Sequence, residues 1–191
     1  MTAGVRSVKG LRRRILAWYA GAARDIPWRR TTDPWAVLVS EVMLQQTQGS
    51  RVAERFPPFL HRFPTPRAMA AASTADVLAA WSGLGYNRRA LALHRAATLI
   101  AAEGWPATTE GLEALPGVGR YTARAVAALA FGRPVGAVDT NVRRWLIRRF
   151  GLSSAERPGR LQELADALAA ADPRVTSAEA AAWMHASMEF G

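Results

Sequence analysis

The chain has 191 residues, half of them hydrophobic, and it contains no cysteine. This length suggests one domain or two small lobes, and the hydrophobic fraction excludes a wholly disordered chain. Without cysteine, these residues cannot form disulfides, thiolate metal sites or a cysteine nucleophile. The sequence lacks the run of 18 uncharged apolar residues typical of a transmembrane helix, and its basic first fourteen residues lack the apolar run of a secretory signal. We therefore expect a cytoplasmic protein.

The charge balance is the first indication of function. Twenty-five basic residues against fifteen acidic ones give a net charge of +10, and Lys9 is the only lysine. Such an excess in a small protein is typical of one that binds a polyanion, most often nucleic acid. A genome rich in G and C would favour arginine over lysine, but it would not explain the net positive charge.

The sequence predicts an all-α fold. Alanine and leucine dominate, no segment alternates apolar and polar residues as a half-buried strand would, and proline and glycine interrupt the pattern at short intervals. Thr74 and Asp139 are expected at helix starts. Eleven helices are predicted, near Leu11–Ala23, Pro34–Gln46, Arg51–Arg62, Pro66–Ala71, Thr74–Trp81, Arg88–Glu103, Thr109–Ala114, Tyr121–Phe131, Thr140–Phe150, Pro158–Ala170 and Ser177–Phe190.

A glycine-containing turn separates two of these helices. It reads Leu115-Pro116-Gly117-Val118-Gly119. The proline disfavours helical geometry in the residue before it, and the glycines expose the backbone. The free N–H groups of the following helix, with Arg120 beside them, suit a phosphate. An ordinary corner is the alternative, but the complete motif in a basic protein favours phosphate binding that is independent of base sequence.

Glu41 is the only charge in the apolar segment from Pro34 to Leu44. A carboxyl group desolvated there is expected to have a raised pKa, which suits a general acid. The alternative is a glutamate at the solvent edge of an amphipathic helix, and composition leaves both open. Three glutamines follow that offer hydrogen-bond donors and acceptors for DNA, namely Gln45, Gln46 and Gln48.

Asp139 follows an apolar run and precedes a predicted helix. On position alone it is more simply an N-cap that gains from the helix dipole, with Asn141 in the same capping geometry. Together with Glu41 it suggests a second interpretation. Cleavage of a glycosidic bond uses one carboxyl group to protonate the leaving group and a second carboxylate to stabilise the cationic sugar.

Five segments, in order, resemble the adenine DNA glycosylases of the MutY family, within the helix-hairpin-helix base-excision superfamily. They are Trp28-Arg29, Ser40–Gln48, Gly83–Tyr86, Leu115–Gly119 and Val138–Val142. The string E-V-M-L-Q-Q-T-Q is the most specific, whereas the hairpin is shared with the whole superfamily. The resemblance covers about Leu11 to Gly191. It implies two helical lobes around a cleft, with a six-helix barrel at residues 32–134 and a second lobe from residues 1–31 and 135–191.

The resemblance also implies site residues. Glu41 matches the glutamate that protonates adenine and helps to activate water, and Asp139 matches the aspartate that stabilises the oxocarbenium-like sugar or its covalent adduct, with Asn141 in support. Arg29 matches an arginine near the adenine pocket. The residues that match those probing and wedging the duplex around the opposite lesion are Gln46 and Tyr86.

Tyr121 occupies the position where bifunctional relatives carry the lysine that forms a Schiff base. Strand cleavage by such an enzyme needs an amine nucleophile, and Lys9 offers the only side-chain amine, so we expect a monofunctional enzyme that uses water. Tyr121 could instead be a packed aromatic at a helix start.

Tyr86 could be a core residue rather than an aromatic wedge that intercalates between bases. Arg88 and Arg89 are expected to meet phosphates, with a solvated helix start as the alternative.

The MutY family normally continues just beyond Gly191 with four cysteines that hold a [4Fe–4S] cluster, and often with a Nudix-like domain that recognises 8-oxoguanine. This chain stops at Gly191 without cysteine, so we expect no cofactor within it, no metal site, and either a truncated, processed or cluster-free protein. The expected partner is double-stranded DNA with a mispaired or damaged base, bound by a monomer that does not contact membranes.

The expected activity is removal of adenine mispaired with guanine or 8-oxoguanine in base excision repair, by acid-assisted hydrolysis of the N-glycosidic bond. Two alternatives stay open at this point. One is a glycosylase of the same superfamily that is specific for thymine or another mismatch. The other is a non-catalytic DNA-binding remnant.

Overall fold

The computed structural model describes the backbone of residues 2–190 and the side chains of residues 8–190. Within these residues every regular element is helical, which confirms the all-α prediction. None of these helices is long and apolar enough to cross a bilayer. In chain order the elements are α1 (Thr2–Ala22), a 3-10 helix (Pro27–Arg30), α2 (Pro34–Leu44), α3 (Gly49–Arg62), α4 (Pro66–Ala70), α5 (Thr74–Ala80), α6 (Arg88–Glu103), α7 (Thr109–Glu113), α8 (Arg120–Leu129), α9 (Thr140–Phe150), α10 (Pro158–Ala169) and α11 (Ser177–Phe190).

The eleven predicted helices are all present, and most of their ends agree within two residues. The largest difference is α1, which begins nine residues before the predicted Leu11. The helix predicted to end at Gln46 ends at Leu44, and the 3-10 helix was not predicted. Short polar side chains cap several helices. The Ser73 hydroxyl accepts a hydrogen bond from the backbone N–H of Asp76, so Thr74 is the first helical residue and not the cap itself.

The chain folds into two compact units. One unit is Asp25–Val126, and the described residues of the other are 2–24 and 127–190. The predicted barrel limits of 32 and 134 stay a prediction. Each unit has its own buried apolar core.

In the unit Asp25–Val126, α2 is the buried central helix. Asp33 caps it, since its carboxylate accepts a hydrogen bond of 2.8 Å from the backbone N–H of Ala36. Helix α2 packs against α3 and α6, and α6 also packs against α4 and α5. An aromatic group supports this core, with edge-to-face contacts of the Phe59 ring at 5.1 Å to Phe63 and 5.6 Å to Trp81.

In the other unit, α1, α9, α10 and α11 enclose a core that includes Leu146, Leu161 and Trp183. The segment before α9 is held against α10. The side chain of Gln162 donates to the carbonyl of Gly136 at 2.8 Å, and the backbone N–H of Gly136 donates to the carboxylate of Asp166 at 2.9 Å. A Cβ at position 136 would lie 2.5 Å from the backbone of α10, so only glycine permits this close approach.

Candidate active site

Glu41 lies inside the core of its unit. Nine consecutive residues of α2, from Trp35 to Met43, are buried, and Glu41 is only 5% exposed. Of the two interpretations that composition left open, this burial supports the desolvated carboxyl group and excludes a glutamate at the solvent edge. A carboxyl group buried in apolar surroundings can hold and deliver a proton where bulk water does not compete for it.

The chain turns sharply where α2 ends. Gln46 has a left-handed backbone with φ 56° and an exposed side chain, and the exposed Gln48 is the N-cap residue of α3. Gln45 behaves differently. Its amide nitrogen donates to the carbonyl of Gly117 and to the hydroxyl of Thr122, both at 3.3 Å. The predicted contact of Gln45 with DNA stays a prediction, and in this structure its amide nitrogen connects the end of α2 to the glycine turn and to α8.

The glycine turn joins α7 to α8. Gly117 has φ 76°, and a Cβ there would lie 2.7 Å from the Cβ of Ala92 in α6. Leu115 and Val118 are buried, and the backbone N–H of Val118 donates to the carbonyl of Leu115 at 3.1 Å. The prediction that these two residues bind DNA stays a prediction, and burial of their side chains leaves it to their backbone groups. The exposed groups of this turn are those of Gly117, Gly119 and Arg120.

Substituting alanine for Gly117 should destabilise the protein. The left-handed backbone and the contact with Ala92 together predict a loss of roughly 2–4 kcal/mol in the free energy of unfolding. Chemical denaturation of Gly117→Ala measures that loss. Gly119→Ala is the matched control, because nothing lies within 4 Å of a Cβ there, and its loss should stay below about 1 kcal/mol. Equal losses in the two variants would contradict the requirement for glycine at position 117.

Tyr86 projects from the turn between α5 and α6. It is 54% exposed and has a left-handed backbone with φ 49°, so the interpretation of Tyr86 as a core residue is wrong. The neighbouring Arg88 is exposed too, and its guanidinium carbon lies 5.9 Å from the centre of the Tyr86 ring. A cavity of about 390 Å³ opens beside them, lined by Gln45, Gln46, Tyr86, Arg88 and Arg89.

Arg89 does not present its charge to solvent. It is 7% exposed, and its guanidinium donates to backbone carbonyls at the end of α2, among them those of Val42 at 3.0 Å and Met43 at 2.9 Å. Burial lowers the pKa of Arg89. The expectation that Arg89 meets phosphates, and the alternative of a solvated helix start, are both wrong for this residue. It stabilises the carbonyl end of α2, where the helix dipole is negative.

Asp139 caps α9 in the other unit. Its carboxylate accepts a hydrogen bond of 2.6 Å from the backbone N–H of Val142, which confirms the predicted N-cap. Burial raises the pKa of the Asp139 carboxyl group, and the backbone N–H groups of Val142 and Asn141 offset part of that rise. The side-chain oxygen of Asn141 accepts from Arg144 at 2.9 Å. Asp139 and Asn141 thus share one helix start, as the sequence predicted.

Two further predicted residues lie in the unit of Glu41. Arg29 belongs to the 3-10 helix and Tyr121 to the first turn of α8, and both are half-buried. Their roles stay predictions. A sequence signal for the 3-10 helix exists in Pro27, because proline is favoured at the first position of a helix.

In the described part of the chain, no group of three or more histidine and acidic side chains is arranged to hold a metal ion. A [4Fe–4S] cluster, which the resemblance associates with this family, needs thiolate ligands, and the 191 residues include no cysteine. The residues present do not fit that group, and no chemical step is assigned to it.

Comparison with known proteins decides the family. Residues 39–170 match the model of the HhH-GPD superfamily of base excision DNA repair proteins, a stretch that includes Glu41, the glycine turn and Asp139. The chain belongs to the HhH-GPD superfamily. The helix–turn–helix formed by α7, the glycine turn and α8 lies inside the matched residues.

Similar proteins include two DNA glycosylases of different specificity. The adenine DNA glycosylase of Mycobacterium tuberculosis is 49% identical over 182 residues, which cover 93% of this chain and 59% of that relative. The chain therefore spans about three fifths of the length of this relative. The thymine-DNA glycosylase of Aeropyrum pernix is 37% identical over 155 residues, which cover 78% of this chain and 70% of that relative.

The fold agrees with a solved structure. A thermostable thymine-DNA glycosylase aligns with a TM-score of 0.86 and 28% identity, covering 98% of this chain and 87% of that one. The helical architecture described above is thus the HhH-GPD glycosylase fold.

Proposed function

We propose that this chain is a monofunctional DNA glycosylase that removes adenine mispaired with guanine or 8-oxoguanine. The observation that carries the proposal is the 49% identity with an adenine DNA glycosylase over 93% of the chain. The burial of Glu41, the predicted acid, supports it.

The proposed reaction begins with proton transfer from the carboxyl group of Glu41 to the adenine. Protonation makes the base a better leaving group, so the N-glycosidic bond breaks and leaves a cationic sugar. Water adds to the sugar, and its proton returns to the carboxylate of Glu41. Because a base inside the stack is out of reach, the adenine must first be turned out of the duplex.

In this proposal the carboxylate of Asp139 stabilises the positive charge that develops on the sugar. Its hydrogen bond to the Val142 N–H holds the carboxylate at the start of α9. A preorganised charge of this kind lowers the barrier without rearrangement during the reaction. Asn141, which shares this helix start, would support that geometry.

Double-stranded DNA is the proposed partner. The net charge of +10 favours a polyanion, and the exposed Gly117, Gly119 and Arg120 precede or begin α8, where free backbone N–H groups suit a phosphate. Binding of this kind weakens steeply as salt rises from about 50 to 200 mM.

A glycosylase specific for thymine is the second candidate. The fold similarity to a thermostable thymine-DNA glycosylase and the 37% identity with the thymine-DNA glycosylase of Aeropyrum pernix favour it. The two candidates differ in the base released, which a direct assay separates.

Base release from a panel of mismatched duplexes tests the proposal. Duplexes with adenine opposite 8-oxoguanine, adenine opposite guanine, thymine opposite guanine and fully paired bases are compared under single-turnover conditions. We expect release of adenine from the first two. Release of thymine alone would establish the second candidate, and salt-sensitive binding without any release would identify a non-catalytic DNA-binding protein.

The same assay addresses strand cleavage. Tyr121 stands where the resemblance places the lysine that forms a Schiff base, and Lys9 is the only lysine. We therefore expect strand breaks only after alkali treatment, and no covalent adduct trapped by borohydride. A trapped adduct would contradict the monofunctional mechanism.

A further inference from the structure

Two turns meet at the buried guanidinium of Arg89. One turn follows α2 and comprises residues 45–48, and the other precedes α6 and comprises residues 82–87. Arg89 contacts both with separate nitrogens. Nη1 donates to the carbonyl oxygens of the α2 end, and Nη2 donates mainly to the other turn. The acceptors of Nη1 are the carbonyls of Val42, Met43 and Gln45, and those of Nη2 are the carbonyls of Leu84 at 2.9 Å and Gly85 at 3.2 Å and the hydroxyl of Thr47 at 2.9 Å.

The same two turns contain unusual backbone. Among the described residues, Gln46 and Tyr86 are the only ones other than glycine with positive φ, and each lies in one of the turns. Left-handed backbone is unfavourable for these residue types and persists only where the surroundings enforce it. Arg89 supplies such surroundings, because its hydrogen bonds end on the residues directly before Gln46 and Tyr86.

The two strained residues also share a surface. Gln46 and Tyr86 are exposed, and both line the cavity of about 390 Å³. The guanidinium carbon of Arg89 lies 5.5 Å from the centre of the Tyr86 ring and 5.4 Å from that of Trp81. A buried charge with this many acceptors fixes relative geometry, because moving either turn would leave hydrogen bonds unmade.

We propose that Arg89 is a positioning residue that holds Gln46 and Tyr86 together in the conformation that opens the duplex beside a mispair. This inference rests on the proposed glycosylase function. Arg89 acts through these two side chains and does not touch the DNA itself. Lysine cannot replace it, because a single ammonium lacks the planar fork whose two nitrogens serve the two turns.

Arg89→Lys distinguishes a residue that positions the side chains opening the duplex from one that only stabilises the fold. Two duplexes are used, one with adenine opposite guanine and one with adenine opposite an abasic analogue, where the base is already unpaired. If Arg89 positions the opening side chains, the variant should lose roughly 10- to 100-fold in single-turnover rate on the mispair and retain the wild-type rate on the unpaired adenine. Equal losses on both duplexes, or no loss on either, would overturn the proposal.

A second readout does not depend on base release. 2-Aminopurine next to the mispaired adenine becomes brighter when the stack opens. We expect this fluorescence rise with the wild type and a much smaller rise with Arg89→Lys. If the wild type opens the stack but releases no base, the proposed function fails while the role of Arg89 is still tested. An undiminished rise in the variant would overturn the proposal.

Matched variants complete the experiment. Arg95→Lys makes the same change at an exposed position of α6 and should behave as the wild type on both duplexes. In a Tyr86→Ala background, Arg89→Lys should cause a smaller further loss on the mispair than in the wild type, because one of the two side chains that Arg89 positions is already absent. Additive losses would contradict this. If Arg89→Lys does not fold, Thr47→Val removes one acceptor of Nη2 and should show the same selective loss, smaller in size.

Discussion

Replacing Glu41 by glutamine is expected to reduce adenine release by about 10²- to 10⁴-fold, the usual contribution of a general acid. Glutamine has nearly the same size and keeps a polar group at this buried position, but it cannot deliver a proton to the leaving base. Single-turnover release of adenine from duplexes with guanine or 8-oxoguanine opposite measures the effect. Binding of the same duplexes should change little, since the loss concerns the chemical step.

The control for this variant is Glu54→Gln, the same substitution at an exposed position of α3. It should release adenine at the wild-type rate. Thermal unfolding of Glu41→Gln establishes that the variant is folded in the assay. Wild-type release by the folded variant would exclude Glu41 as the acid and would require a different proton donor.

Replacing Asp139 by asparagine is expected to reduce adenine release by about 10²- to 10³-fold, comparable to removing one electrostatic contact from a transition state. Asparagine is also a favourable N-cap residue, so the start of α9 should be retained. The loss then reports the missing negative charge. Because burial raises the pKa of Asp139, its carboxylate is protonated at a higher pH than that of an ordinary aspartate. As the pH is lowered, the wild-type rate should therefore begin to fall at that higher pH.

The same variant should be more stable than the wild type near neutral pH. A carboxyl group with a raised folded-state pKa destabilises the fold once it is ionised, so its unfavourable contribution is complete above the folded pKa and absent below the unfolded value of 3.8. The excess stability of Asp139→Asn should therefore shrink as the pH falls through the folded pKa. Denaturation curves measured from about pH 7 down to the unfolded value of 3.8 follow the trend.

Asp76→Asn is the matched control, because the pKa of Asp76 is lowered whereas that of Asp139 is raised. Asp76 lies in the first turn of α5, where a hydrogen bond from Ser73 and the charge of Arg62 lower its pKa. Its replacement should leave adenine release unchanged and should not stabilise the protein. Loss of activity in this control, or a destabilised Asp139→Asn at neutral pH, would contradict the account of Asp139.

Features that depend on neighbouring residues in the chain were predictable. Asp139 is an N-cap because an aspartate before a helix can accept a hydrogen bond from the backbone N–H three residues further on. That interaction depends only on residues close together in the sequence. For Glu41 the local sequence narrowed the choice to two, because the helix around it is apolar on nearly every side, and the structure chose the buried position. The glycine turn follows from the same kind of short-range signal, since Gly117 adopts a backbone conformation that other residues avoid.

Features that join distant segments of the chain were not predictable from the sequence. The local pattern of Arg89 is that of a charged helix start, yet its guanidinium is buried against carbonyls 44 to 47 residues earlier in the chain. Gln45 is a polar residue of a kind that contacts DNA, but its amide nitrogen donates to the carbonyl of Gly117, 72 residues away in the chain. No periodicity or spacing encodes such partners.

The sequence by itself determined the eleven α-helices, the Asp139 cap and the glycine turn, because each of these depends on interactions over a few residues. Tertiary structure decided which polar side chains serve the fold and which face outward. Arg89 and Gln45 turned inward because packing of α2, α6 and the hairpin creates carbonyl acceptors that must be satisfied. Tyr86 and Gln46 were left exposed by those same contacts.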